Sequence, residues 1–69
     1  MAKTKYDHIY TQLRNRIESG TYPYQDLLAS EHTLIKEFDC SRNTVRRAIG
    51  RLADEGYVQS IHGKGVQVI

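Results

Sequence analysis

The feature that constrains this chain most is a three-residue joint, Asp39-Cys40-Ser41, set between two apolar-periodic segments. Before it, Leu34, Ile35 and Phe38 recur at helical spacing; after it, Val45, Ala48, Ile49 and Leu52 fall at i, i+3, i+4 and i+7. Asp39 tolerates the left-handed backbone that a tight inter-helix turn requires, and Ser41 is a good helix cap. Two helices joined this closely must cross steeply and bury their apolar stripes in one shared core. Cys40 is expected as a small buried side chain within the joint.

The remaining elements follow from caps and changes of period. Ser30 caps the helix before the joint, Glu31–Phe38, and Glu31 suits its positive N-terminal end. The helix after the joint runs from Arg42 to Glu55 and stops at Gly56. Near the N-terminus, Thr4 and Asp7 form a capping pair for a helix from Lys5 to Ser19, which Gly20 ends. Its stripe is Tyr6, Ile9, Tyr10, Leu13 and Ile17. Gly20–Tyr24 is a connector holding the only proline, Pro23, and Asp26–Ala29 is a short extended piece. Beyond Gly56 the pattern becomes β-branched and alternating. Residues 57–61 and 66–69 read as strands joined by His62-Gly63-Lys64-Gly65. The expected fold is mainly α with a small β-hairpin: three helices and a two-stranded antiparallel wing, a winged helix-turn-helix.

A chain of 69 residues has room for one small domain. A domain this size buries only about 60% of the surface its unfolded chain exposes. It has Trp 0, Phe 1 and Tyr 5, which leaves little volume for both a core and a deep substrate pocket, so an enzyme is not expected. One cysteine rules out an internal disulfide framework. His8, His32, His62 and Cys40 fall on different elements without paired ligand spacing, so neither metal nor cofactor is expected. No apolar run approaches ~18 residues, and the start of the chain does not read as a signal peptide. The expected compartment is the cytoplasm, with no membrane partner.

Charge is unevenly divided. Five Lys/Arg against six acids leave residues 1–40 at −1, whereas five against Asp54 and Glu55 leave residues 41–69 at +3. Four arginines, Arg42, Arg46, Arg47 and Arg51, lie between 42 and 51 with no acid among them. At about 100° per residue the apolar positions take one third of that helix, and Asn43, Gly50 and the arginines cover most of the rest. Its first turn and a half offers guanidinium forks that pair bidentately with guanine edges or phosphate. Asn43 suits an adenine edge, and Thr44 a phosphate oxygen or a thymine methyl. A merely solvated basic face is the bland alternative, but an unbalanced arginine run directly after a capped tight turn favours DNA contact.

The wing tip has two readings as well. Gly63 and Gly65 permit positive φ, and bare backbone also allows close approach to a groove, where His62 and Lys64 add charge. Ser30 and Glu31 serve first as cap and helix-dipole partner, with phosphate contact as the alternative, and His32 is either exposed or within reach of a phosphate. The competing function is a winged-helix protein-interaction module that docks the third helix on an acidic partner. Such modules usually lose the basic helix that this chain keeps.

Leu28-Ala-Ser-Glu-His-Thr-Leu34, Asp39-Cys-Ser-Arg-Asn-Thr-Val-Arg-Arg-Ala48, Leu52-Ala-Asp-Glu-Gly-Tyr-Val58 and His62-Gly-Lys-Gly65 resemble the N-terminal DNA-binding domain of the GntR family of bacterial regulators. Within it they look most like the HutC-type branch, which includes sugar-operon repressors. The resemblance spans nearly the whole chain and implies sequence-specific binding of double-stranded DNA. It assigns contacts to Ser30 and Glu31 and to Ser41, Arg42, Asn43, Thr44 and Arg46 at the start of the recognition helix. His62, Gly63 and Lys64 match a wing tip that reaches the minor groove, and Arg47 a phosphate contact. Two departures stand out: Ala29 where relatives usually carry proline, and His32 where many carry an arginine. The resemblance further implies a homodimer in the full-length protein, reading a palindromic operator with one half-site per domain. It also implies a small-molecule effector bound by a C-terminal domain absent from this chain.

Overall fold

Three hydroxyls start the three helices. In the computed structural model, which describes residues 4–69, these are α1 (Lys5–Glu18), α2 (Glu31–Phe38) and α3 (Arg42–Asp54). The Oγ1 of Thr4 accepts from the Asp7 amide at 3.1 Å, and the Oγ atoms of Ser30 and Ser41 accept from Thr33 and Thr44 at 3.2 Å. Each cap satisfies one of the amides that a first turn leaves unpaired. Asp39 takes the left-handed conformation, φ 52° and ψ 59°, that the joint between α2 and α3 needs. The Lys5 ammonium donates to the Asp39 carbonyl, fastening the start of α1 to that joint. At the far end of α3, Gly56 donates to Ala53 at 3.1 Å and Tyr57 to Leu52 at 2.9 Å, the paired bonds of a Schellman stop. The first and third helices end one residue earlier than predicted, since Ser19 and Glu55 are caps.

The helical stripes meet as predicted. Ile9 and Leu13 of α1, Leu34 of α2, and Val45, Ala48 and Leu52 of α3 are completely buried, joined by Tyr10, Leu28, Val58 and Val68. Tyr6, Ile17, Ile35, Phe38 and Ile49 form a half-buried rim around this centre. Cys40 belongs to the rim too, half-buried instead of buried, because so short a joint has little chain above it.

After α3 come β1 (Val58–Ile61) and β2 (Gly65–Val68), antiparallel, with Val58 opposite Val68 and Ile61 opposite Gly65. Gly65 pairs instead of turning, so the tip is three residues, His62–Lys64, closed by a Lys64 amide to Ile61 carbonyl bond of 3.0 Å. Gly63 has φ 79°, the positive value that the third position of a type II turn demands. The wing also has a third edge. Leu27 bridges to Gln67, and the bonds Gln25 to Val68 (2.9 Å), Val68 to Asp26 (2.9 Å) and Leu28 to Val66 (2.8 Å) lay the segment before α2 along β2. The short extended piece expected there therefore docks on the wing, and β2 is hydrogen-bonded on both sides. The radius of gyration, 11.2 Å, matches the ~11 Å of a compact domain this long.

Candidate nucleic-acid interface

The N-terminal ends of α2 and α3 and the inner side of the wing enclose an open groove of about 840 Å³. Its floor is apolar, from Leu28, Ile49, Ile61 and Val66, and its walls are polar. Ser30, Glu31 and His32 stand on the α2 side, Arg42 and Arg46 on α3, and His62, Gly63 and Lys64 along the wing tip. Eight of the twelve residues singled out in the sequence thus come together on one concavity. Three cations, Arg42, Arg46 and Lys64, face a single carboxylate there, so the groove is electropositive.

The other four flank it. Ser41 and Asn43 are exposed around the start of α3, and Thr44 is half-buried with its hydroxyl 2.8 Å from that of Ser41. Arg47 points the other way. Its guanidinium lies 4.8 Å from the Tyr6 ring centre on α1, and Arg51 lies 4.0 Å from that of Tyr10. The Tyr6 phenol, beside it, holds Arg51 more firmly in its charged form. Tyr10 donates to Glu55, and Tyr57 donates to Glu18 at 2.8 Å, a bond that raises the Tyr57 phenol above its ordinary value. The arginine run therefore divides in space: Arg42 and Arg46 line the groove, whereas Arg47 and Arg51 stack on α1. Among the described residues Arg42 alone of the four has neither a carboxylate nor an aromatic ring beside it.

Among the described residues Arg46 carries the one ion pair of the groove. Its Nε donates to both Glu31 carboxylate oxygens, at 2.9 and 3.1 Å. No local pattern announces this pair, because its members are fifteen residues apart on different helices. Ser60 was also missed as a groove-lining hydroxyl. Its signal was present in the alternation of β1, which puts it on the same side as Val58. Among the described residues no three His, Cys, Asp or Glu gather to hold a metal, and no helix is long and apolar enough to cross a membrane.

A helix N-terminus and a hairpin tip separated by a cationic groove can straddle a phosphate ridge, one on each side. Comparison with known proteins points the same way. Residues 5–68 match the family described as bacterial regulatory proteins, gntR family. The HTH-type transcriptional regulator TreR of Bacillus subtilis (strain 168) is 41% identical over 69 residues, covering 100% of this chain and 29% of that protein. The arabinose metabolism transcriptional repressor of Halalkalibacterium halodurans is 38% identical over 63 residues, 91% of this chain and 17% of its own length. The chain thus spans less than a third of either relative. In solved structures, AraR(DBD) in complex with operator ORR3 superposes with a TM-score of 0.96 at 29% identity, over 100% of this chain and 83% of that one.

Proposed function

The chain belongs to the gntR family of bacterial regulatory proteins, and from that premise we propose that it binds operator DNA in a sequence-specific way. Residues 1–69 form one DNA-binding domain. The N-terminal turns of α3 enter the major groove, where Arg42, Asn43 and Arg46 meet base edges and Ser41 and Thr44 meet backbone. The wing tip, His62–Lys64, lies at the minor groove. Ser30 and His32 address the phosphate ridge between them, and Arg47 adds a phosphate contact from the flank. The observation that carries this reading is the cationic groove between α3 and the wing. An α-helix about 10–12 Å across fits a major groove about 12 Å wide, which leaves the ridge to that groove.

The full-length protein is a cytoplasmic homodimer that reads a palindrome, its half-sites about one helical turn apart. It represses an operon of sugar metabolism and releases it when a small metabolite binds the domain that follows the wing in the relatives. The domain itself uses no cofactor. The test is selection of bound duplexes from a randomised pool, followed by titration of the winner and a scrambled duplex at two salt concentrations. Enrichment of a short half-site, with binding that falls steeply with salt, is the expected result. Shallow salt dependence without enrichment would favour a protein partner for α3.

A further inference from the structure

The chain has three histidines, and the fold sorts them. His8 stands on α1, edge-on to the Phe38 ring at 5.7 Å and away from the groove. His32 and His62 both line the groove, His32 from the first turn of α2 and His62 from the wing tip. Both are exposed, so neither imidazole serves the core. The charged groups that share the groove with them are Glu31 on α2, Arg42 and Arg46 on α3, and Lys64 on the wing. Those three cations and one carboxylate leave the groove at +2 with neutral imidazoles and +4 with both charged. Imidazole is the side chain that ordinarily changes its charge between pH 5 and 8. We propose that the groove takes up protons with DNA: His32 and His62 meet phosphate as imidazolium, and affinity rises as pH falls from about 8 to about 6. This rests on the DNA-binding reading above.

The placement of the two side chains sets the sign. One stands at the start of α2 and the other at the tip of the wing, so a phosphate ridge laid in the groove passes between them. A neutral imidazole offers one donor and one acceptor, whereas the imidazolium offers two donors, which is what phosphate oxygens require. Phosphate within reach also favours the charged form by direct attraction. The coupling is reciprocal: whatever DNA adds to protonation, protonation adds to DNA binding. The bound state therefore holds more protons than the free domain, and binding tightens as pH falls. The gain comes from phosphate and not from base edges, so all sequences share it. Each imidazolium that neutralises a phosphate also releases a counterion, which steepens the salt dependence.

The test is titration of the selected half-site and a scrambled duplex at about pH 6 and about pH 8. For the parent, binding at the lower pH should be roughly ten- to thirtyfold tighter on both duplexes. His32→Gln and His62→Gln should each retain about three- to sixfold, and the double variant none. Both positions are exposed, so these variants keep the fold. His8→Gln should behave as the parent does. A domain carrying His32→Lys and His62→Lys should bind at the higher pH about as tightly as the parent does at the lower, with the pH dependence gone. The parent's logarithmic salt slope should be steeper at the lower pH by about 1–2. Equal binding by the parent at both pH values overturns the proposal. So does a dependence that survives in the double glutamine variant, or one that His8→Gln removes. A ratio of half-site to scrambled affinity that shifts with pH would mean that an imidazole reads base edges, and would overturn the phosphate assignment. If no duplex is bound at either pH, the DNA-binding reading has failed and the proposal with it. A flat pH profile in a domain that enriches a half-site sinks the proposal alone.

Discussion

Arg42 and Arg47 have the same side chain, five positions apart, and the fold gives them different work. Arg42 lines the groove without an ion-pair partner among the described residues, whereas Arg47 rests on the Tyr6 ring. Arg42→Ala should therefore reduce discrimination between half-site and scrambled DNA by ~1–3 kcal/mol while leaving stability almost untouched. Arg47→Ala should cost about 0.5–1 kcal/mol of stability through the lost cation–π contact. Thermal melts and DNA titrations on the two variants separate these effects; a larger stability loss for Arg42→Ala would contradict the division. Lys64→Ala at the wing tip should weaken all sequences alike and lower the salt slope by about 1, as a phosphate contact does. Most residues of the candidate groove were legible because their chemistry is local: a cap, a glycine tip, an arginine run. Which arginine is free was not legible, because Tyr6, Tyr10 and Glu31 reach α3 only through tertiary packing.

The elements themselves were nearly all readable from caps and periodicity, which act over a few residues. The exception is the strip of chain before α2. Its extended form was foreseen, but its pairing partner lies across the sequence in β2 and no turn announces it. Between elements, the contact with the clearest pH consequence joins α1 to α2. Arg16 hydrogen-bonds Glu37 and also reaches the Tyr22 hydroxyl, at 3.3 Å, while stacking over Phe38. That hydrogen bond from Arg16 holds the Glu37 carboxyl below the ordinary carboxylate range. A lowered folded-state value means the pair's stabilisation is complete above the ordinary glutamate range and is lost as pH falls through the lowered value. The pair is partly exposed, so the effect is small. Thermal midpoints measured from neutral to acid pH should drop for the parent, with Glu37→Gln lower at neutral pH and flatter in acid. Parallel curves for the two proteins would show that the ion pair contributes nothing.

At the scale of the whole molecule, ten buried hydrophobic side chains among the described residues are the core. At ~0.05–0.15 kcal/mol per residue a domain of this length is stable by only about 3–10 kcal/mol. Leu52 is fully buried in the last turn of α3, and Leu52→Ala should remove ~2–5 kcal/mol. Urea unfolding of the free variant should show a midpoint far below the parent's. Saturating half-site DNA should restore part of it, about 2.7 kcal/mol at a hundredfold excess over Kd. Loss of the midpoint without rescue by DNA would mean that the folded variant no longer presents the groove.

The two-sided bonding of β2 also bears on the order in which a growing chain can take shape. α3 reaches back about forty residues to stack on α1, and β2 must likewise find residues about forty positions upstream as well as the strand just made. A nascent chain halted at the end of α3 would carry its recognition helix complete, with the upstream strip that β2 will cover still bare. On the ribosome, the ability to grip DNA therefore arrives last and all together, with the few residues that close the wing.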